Sequence, residues 1–308
     1  MPSLFPERGG LQTLRREDYL SQWRWRFLLP VLIFMISWNL LPLLWVLGMS
    51  FYKLNLVSGI PPRYLGLDNY LGFLKDPYFW DRFRVTFLYV LLAVLLEVIL
   101  GFALGFLYNS QDVKGKKIML PILFAPMMIA PVASGVFFRF MYDPHWGVIN
   151  HFLRTFFGIT IQFLEEARWA FPAVLAVDVW MWSPFMTLMC LAGLQAVPQH
   201  LIEAAEVDRL SWWLRFRHVI LPAIRPVFTL GILLRTIDAF KTFDTIFVMT
   251  GGGPGNTTEV LSMALYRMAF IFFNTGRASA LAIVMLFISI AFTSIYLMLI
   301  PKSEGKGA

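Results

Sequence analysis

The side chains of this sequence with the greatest potential for chemistry are ionisable residues inside long apolar stretches. A charged group is energetically expensive in such a stretch, so it usually has a partner or a function. Five positions share this property: Glu97, Asp178, Arg235, Asp238 and Lys241. These side chains could hold one another in buried ion pairs, or they could line a path for a polar solute.

Four polar residues at offsets of zero, three, seven and ten would share one stripe of a helix: Arg235, Asp238, Thr242 and Thr245. Phenylalanines flank this stripe, Phe243 among them. Groups that bond hydroxyls, placed beside flat apolar rings, suit an uncharged polyol of sugar size. The alternative is that Arg235 and Asp238 form an ion pair that only holds the bundle together, and the sequence leaves both interpretations open.

Two other apolar stretches also contain an acidic residue that could either belong to an ion pair or line a solute path. Asp178, with Trp182 just after it, is the second candidate for a solute path. Glu97 is expected to be structural, because nothing in its own helix could pair with it. The predicted path therefore consists of six residues: Asp178, Trp182, Arg235, Asp238, Thr242 and Phe243.

Known catalytic arrangements are missing from the sequence, which has no HExxH motif, no cluster of Cys and His ligands and no nucleophile elbow. The segment GGGPGNTT at 251–258 resembles a phosphate-binding loop only superficially, since it lacks the lysine that contacts nucleotide phosphates. We therefore expect no cofactor, metal or ATP on this chain. If ATP drives transport, ATP and Mg²⁺ bind to a separate ATPase subunit.

The composition is that of a polytopic membrane protein. Hydrophobic residues make up 58% of the 308 residues and charged residues only 15%, whereas soluble domains carry about 25% charged residues. The formal net charge of +7 is interpreted as membrane topology and contact with lipid headgroups, not as nucleic-acid binding. The single cysteine, Cys190, excludes an intrachain disulfide.

Six stretches are long enough to cross a hydrocarbon core, which takes about 20 residues: 27–51, 84–109, 118–141, 170–197, 223–249 and 279–301. The sequence thus predicts an all-α membrane protein, a bundle of six transmembrane helices. Lys and Arg are concentrated in 1–26, in the short second loop, in the stretch after 200 and in 302–308. The positive-inside rule makes these segments cytoplasmic, both ends of the chain included.

Small residues and prolines modify the predicted spans. Gly101 and Gly105 form a GxxxG pattern that permits close helix approach, although chance glycines in a membrane helix explain it equally well. Pro126 and Pro131 are expected to kink the third span, and Pro184 the fourth.

The segment from Leu201 to Pro222 is neither apolar enough to span a bilayer nor loose enough to be a linker. Its first part has helical spacing with acids in the predicted opening turns, where they suit the helix dipole. Its second part, 212–219, combines aromatic and basic residues as interfacial helices do. The sequence predicts two short cytoplasmic helices at 201–217, between spans four and five, that offer a docking surface.

This segment resembles the cytoplasmic coupling motif of permease subunits in binding-protein-dependent ABC importers. The motif reads Glu-Ala-Ala, then Asp-Gly-Ala, then Leu-Pro, and the matching positions here are Glu203, Ala204, Ala205, Asp208, Leu221 and Pro222. Arg209 stands where the family has glycine, in the turn between the helices. A residue without a side chain enters such turn conformations easily, whereas Arg enters them at some cost.

The resemblance covers residues 27–301. MYDPHWGVINHFL at 141–153 and FDTIFVMTGGGPGNTTEVLSMALYRMAF at 243–270 are similar to the carbohydrate-importer branch, and most to its maltose- and glycerol-phosphate-type first permease. The resemblance implies a prokaryotic inner-membrane complex with a second homologous permease, a cytoplasmic ATPase dimer and an extracytoplasmic solute-binding protein that delivers a sugar-like substrate. An ion-coupled transporter or channel without an ATPase is the alternative.

Overall fold

The computed structural model describes residues 10–110 and 113–299, with side chains from residue 28 to residue 298. Thirteen α-helices follow one another in this part of the chain: α1 Gly10–Met49, α2 Asp68–Lys75, α3 Pro77–Asn109, α4 Lys116–Phe124, α5 Pro131–Met141, α6 Val148–Phe157, α7 Ala167–Gln195, α8 Gln199–Val207, α9 Trp212–Arg215, α10 Leu221–Phe240, α11 Asp244–Met249, α12 Leu261–Tyr266 and α13 Thr275–Leu299. One small hairpin, β1 Tyr52–Lys53 with β2 Arg63–Tyr64, joins α1 to α2. The all-α fold is confirmed.

Five helices within the described ranges are long and apolar enough to cross a membrane: Leu28–Met49, Pro77–Asn109, Ala167–Gln195, Trp212–Phe240 and Thr275–Met298. A pair of helices, Lys116–Met128 and Pro131–Met141, whose axes differ by 97°, is apolar enough to form a sixth crossing if the two are taken as one span. The six predicted spans therefore correspond to five continuous helices and one sharply bent pair. Residues 1–9 of the predicted N-terminal segment 1–26 and the whole predicted tail 302–308 lie outside the described residues.

The bend in the third span lies where the prolines predicted it. Ala125–Met128 is a short 3₁₀ turn, and Ile129 and Ala130 are extended. Pro131 disfavours the helical conformation of the residue before it, so Ala130 leaves the helix and α5 begins anew with Pro131 in its first turn. The kink expected at Pro126 and Pro131 is therefore a full break, which divides the predicted span 118–141 into two helices at 97° to each other.

The second span begins seven residues before its predicted start, at Pro77 instead of 84. Asp76 caps this end, since its carboxylate accepts a hydrogen bond from the Tyr78 N–H at 3.0 Å. The apolar pattern missed the first two turns because they carry Asp81 and Arg82.

The fifth span also differs from its prediction at both ends. Trp212 to Phe240 forms one apolar helix, so the predicted second coupling helix is continuous with the span. The junction Phe216–Ile220 is a π-helical turn that widens the helix just before Pro222, which has no N–H to donate. At the other end α10 stops at Phe240, and Thr242 and Phe243 lie in a break before α11.

Close packing of α3 on α7 holds the centre of the bundle. A Cβ atom on Gly101 would lie 2.5 Å from the Met186 Cβ, and one on Gly105 would lie 2.7 Å from the Cys190 Sγ. Both Met186 and Cys190 are fully buried. The GxxxG pattern thus marks a real helix contact, because only glycine lets the two backbones approach this closely.

Gly101→Ala is expected to destabilise the protein by about 1–3 kcal/mol, since the new methyl group would overlap the Met186 side chain and backbone. The matched control is Gly72→Ala on α2, where nothing lies within 4 Å of an added Cβ. Thermal unfolding in detergent should show a lower midpoint for Gly101→Ala and an unchanged or higher midpoint for Gly72→Ala. Equal midpoints would contradict the packing argument.

Candidate functional site

The segment that resembles the coupling motif forms a compact helix, turn and helix at one end of the bundle. The first helix, α8, runs from Gln199 to Val207, and the chain turns at Asp208–Ser211 before α9. Ser211 caps α9 by accepting a hydrogen bond from the Leu214 N–H at 3.4 Å. Arg215 reaches back to Glu206 with an N–O distance of 2.7 Å and so ties the second helix to the first. We call residues 199–217 the coupling segment.

The coupling segment presents its motif residues to solvent. Glu203, Ala204, Asp208 and Arg209 are exposed, whereas Ala205 is buried against the rest of the chain. Leu221 and Pro222 lie in the first turn of α10 and are also exposed. A carboxylate beside a small alanine on an open helix face can enter a groove on another protein without steric obstruction.

Arg209 has a backbone φ of +51°, which is the left-handed conformation. The Leu210 N–H donates to the Ala205 carbonyl and the Arg209 N–H to the Glu206 carbonyl, both at 3.0 Å, so the helix ends in a left-handed cap. The prediction that this position demands a conformation natural to glycine is confirmed. Arg209 adopts it with a strain of about 1–3 kcal/mol.

The placement of acids in the opening turns of α8 was wrong. The helix starts at Gln199, so its first turn contains no acidic residue. Glu203 lies in the second turn, and Asp208 follows the last turn as the C-cap. The helix dipole therefore does not account for these acids, and their exposure is the relevant property.

Aromatic stacking fixes the coupling segment to the bundle. Trp212 stacks on Phe216 with ring centroids 5.5 Å apart, and Phe216 lies 5.6 Å from Phe106 near the end of α3. Trp213 is 58% exposed beside them. A displacement of α8 and α9 would therefore be transmitted to the end of α3 through these rings and to α10 through the continuous helix.

A second group of interacting side chains, separate from the coupling segment, lies inside the bundle and is centred on Arg235. Its guanidinium group donates to both carboxylate oxygens of Glu97 at 2.7 and 2.8 Å, and also to Asp178. Glu97 comes from α3, Asp178 from α7 and Arg235 from α10, so one guanidinium joins three helices. All three side chains are at least 96% buried. We call these three residues the charge triad.

The charge triad favours the structural interpretation of Arg235, with Glu97 in place of Asp238 as its main partner. Asp238 is only a secondary partner, at 3.4 Å from the guanidinium, and its side chain is 56% exposed. Trp182 lies under the guanidinium at 5.2 Å from its ring centroid. Arg235 and Asp178 are thus enclosed by their own chain, while Asp238 remains accessible to a solute or a partner.

The predicted polar stripe is broken by the end of α10. Thr242 lies beyond the helix, and its carbonyl accepts a hydrogen bond from the Ser262 hydroxyl. Phe243 stacks on Phe247 with centroids 5.1 Å apart. Three of the six path residues, Asp178, Trp182 and Asp238, lie against Arg235, which is the fourth. Thr242 and Phe243 lie in the break after α10. Sequence reasoning missed Glu97 as the main partner of Arg235, because no short-range pattern links residues 138 positions apart.

No group of three or more His, Cys, Asp or Glu side chains that could hold a metal ion occurs in the part of the chain that the structure describes. The described residues thus present two features: the exposed face of the coupling segment, and the buried charge triad with the exposed carboxylate of Asp238 beside it.

Comparison with known proteins assigns the family. Residues 97–305 match the model of the binding-protein-dependent transport system inner membrane component. The trehalose/maltose transport system permease protein MalF of Thermococcus litoralis is 35% identical over 274 residues, 88% of this chain and 90% of that protein. The sulfoquinovosyl glycerol transport system permease protein SmoG of Agrobacterium fabrum is 34% identical over 255 residues, 83% of this chain and 82% of that protein. The trehalose transport system permease protein SugA of Mycobacterium tuberculosis is 31% identical and covers 95% of both chains.

A solved structure gives the same fold. A chain of a bacterial ABC transporter involved in the import of the acidic polysaccharide alginate superposes with a TM-score of 0.78 at 20% identity, covering 94% of this chain and all of that one. The family match covers more than half of the sequence and includes the coupling segment, the charge triad and the fifth and sixth spans. The chain therefore belongs to the family of binding-protein-dependent transport system inner membrane components.

Proposed function

We propose that this chain is one of two homologous permease subunits of an ATP-driven importer, and that it carries a sugar or a related polyol into the cytoplasm. The observation that supports this proposal most directly is the exposed coupling segment. It offers Glu203, Ala204 and Asp208 on an open face while its other end continues into a membrane-spanning helix. The chain is a transport subunit of the inner membrane, and a separate ATPase subunit hydrolyses ATP.

The cargo class rests on the named relatives. The three relatives described above are named for trehalose, for maltose or for a sulfoquinovosyl glycerol. The identity of 31–35% extends across the spans that contain Asp178, Trp182 and Asp238. These relatives favour a sugar or a sugar derivative, neutral or anionic, over an amino acid or an inorganic ion.

The orientation follows from the distribution of charge. Lys and Arg are concentrated in the coupling segment and at both ends of the chain. We propose that these three segments lie in the cytoplasm. In this orientation the ATPase dimer contacts α8, and the solute-binding protein docks on the opposite side, where α2, α6 and the Gly-rich loop 251–258 lie. Residues 1–26 and 302–308 would then be cytoplasmic.

The mechanism proposed is alternating access. Closure of the ATPase pair would pull on α8 through Glu203, Ala204, Ala205 and Asp208. Arg209 would keep the turn rigid, and the continuous helix from Trp212 through Leu221 and Pro222 would convey the movement into the membrane. The charge triad would let α3, α7 and α10 move as one unit, because separating them would expose a buried charge to lipid.

The direct test is purification of the chain from its native membrane in mild detergent, followed by identification of the proteins that co-purify. A second permease and an ATPase are expected, and the complex should hydrolyse ATP faster when a sugar-loaded binding protein is added. A chain that purifies alone under several gentle conditions, with no ATP hydrolysis, would overturn the proposal. The ion-coupled alternative would then be tested by solute flux.

For the substrate path, Asp238→Asn is expected to weaken the apparent affinity for sugar several-fold, because the exposed carboxylate is a strong acceptor for hydroxyl groups. Arg235 keeps Glu97 and Asp178, so thermal stability should be unchanged. The control is Asp244→Asn, an exposed aspartate at the start of α11. Uptake kinetics and the unfolding midpoint are the measurements. A stability loss with unchanged uptake per folded complex would assign Asp238 a structural role only.

A further inference from the structure

Five charged side chains meet at the end of the bundle opposite to the coupling segment. They come from the ends of α2 and α3, from the loop after the Gly-rich segment, from the turn after α12 and from the start of α13: Asp76, Arg82, Glu259, Arg267 and Arg277. They line a pocket of about 360 Å³, which lies in the size range of ligand sites. The coupling segment and the predicted solute path make no use of this pocket.

Ion pairs hold the walls of the pocket in place. Glu259 is 1% exposed and accepts a hydrogen bond from Arg82 at 3.1 Å, with Arg267 at 3.5 Å from its other oxygen. Arg277 donates to Asp76 at 2.5 Å. Three guanidinium groups face two carboxylates, so one positive charge is left without a counterpart inside the pocket.

The guanidinium groups also retain capacity to donate hydrogen bonds. Each has five N–H bonds, of which Arg267 uses one on the Gly251 carbonyl at 2.7 Å and Arg82 one on the Tyr78 carbonyl at 2.9 Å. Their side chains are 20–36% exposed. A fixed excess of positive charge with several donors on one cavity matches an anion that carries more than one oxygen.

The pocket lies at the level of lipid headgroups. Along α3, Arg82 is 24 residues from Phe106, a rise of about 36 Å at about 1.5 Å per residue. At the other end of the bundle, Phe106 contacts Trp212, which is exposed. A hydrocarbon core is about 30 Å thick, so a distance of about 36 Å places the two ends at opposite membrane interfaces. Tyr78 and Trp80 are exposed beside the pocket, and so is the aromatic run Phe270–Phe273. Aromatic residues gather at both membrane interfaces in this manner.

We propose that this pocket binds the phosphodiester headgroup of a phospholipid in the leaflet opposite to the coupling segment, with Arg82, Arg267 and Arg277 holding the phosphate. The apolar part of the rim, formed by Met268 and Phe272, would contact the glycerol and the first acyl carbons. This rim favours a lipid over an acidic side chain of a soluble partner, which would gain little from an apolar border. The bound lipid would link the Gly-rich loop to the start of α13.

The test is native mass spectrometry of the full chain in detergent, titrated with dioleoylphosphatidylglycerol and, in parallel, with dioleoylglycerol, which lacks the phosphate. The wild-type chain is expected to bind one phosphatidylglycerol and to discriminate against dioleoylglycerol at least about tenfold. Arg277→Gln should weaken phosphatidylglycerol binding about tenfold, the size of one charge-assisted hydrogen bond. Arg277→Lys keeps the charge and should recover most of this loss. Arg154→Gln, at an exposed arginine on α6, should bind as the wild type does.

Three outcomes would overturn the proposal. Equal binding of the two lipids by the wild-type chain would exclude a phosphate site without recourse to any variant. Full displacement of phosphatidylglycerol by millimolar inorganic phosphate would show a free-anion site. Unchanged lipid binding by Arg277→Gln, together with weaker binding of the solute-binding protein, would make the pocket a protein contact.

Discussion

Arg235→Met is expected to remove most of the folded protein from the membrane. The side chains of Glu97 and Asp178 are at most 4% exposed, and the substitution leaves them without a guanidinium group between them. Breaking a buried ion pair by removing one partner typically costs about 3–5 kcal/mol, because an uncompensated charge remains in the interior. The unfolding midpoint in detergent and the yield of monodisperse protein are the measurements, with Arg217→Met, at an exposed arginine of the same continuous helix, as the control.

The triple variant Glu97→Leu, Asp178→Leu, Arg235→Met separates stability from function. Replacement of a whole buried ionic group by apolar residues of similar volume is often neutral or stabilising, so this variant should regain most of the yield. If it also regains sugar uptake, the charge triad is structural, as its burial indicates. If yield returns and uptake does not, the charges take part in transport. A single Arg235→Met variant as stable as the wild-type protein would contradict the importance of the triad altogether.

Much of the architecture could be predicted because membrane crossing depends on local composition. The apolar stretches identified the long helices, and Pro126 and Pro131 identified the place where the third span turns. The family resemblance, which places glycine at position 209, also predicted a turn that Arg enters at some cost, and Arg209 has a left-handed φ of +51°. These features are determined by a residue and its immediate neighbours.

The features that could not be predicted depend on distant parts of the chain. The end of α10 contains neither proline nor glycine at 241–243, and Ser262, twenty residues away, bonds the Thr242 carbonyl there. Likewise the partner of Arg235 lies 138 residues away on α3. The spacing of Arg235 and Asp238 suggested that these two residues pair with each other. The two hydrogen bonds from Arg235 to Glu97 are instead shorter than its contact with Asp238, and they are fully buried. A fully buried arginine prefers the pairing that excludes water from all three groups.

Glu203→Lys is expected to abolish uptake while the subunit still inserts and assembles. Glu203 is exposed on α8 beside Ala204, and its reversal leaves the buried contact of Ala205 and the Glu206–Arg215 ion pair intact. If the carboxylate enters a basic or donor-rich groove of the ATPase, a lysine there places like charges together and costs several kcal/mol at the interface. A loss of about 3 kcal/mol would weaken the contact more than a hundredfold.

The decisive measurement compares ATP hydrolysis with sugar uptake in membrane vesicles that contain the complete complex and a loaded binding protein. For Glu203→Lys, hydrolysis should no longer respond to the loaded binding protein, and uptake should fall to background. Glu165→Lys makes the same charge change at an exposed position on the opposite side and should retain uptake within about twofold. Glu203→Gln removes the charge without reversing it, so an intermediate loss would identify electrostatics as the origin of coupling. Normal uptake by a stably inserted Glu203→Lys variant would show that α8 docks through other residues, with Asp208 and Arg209 as the next positions to reverse.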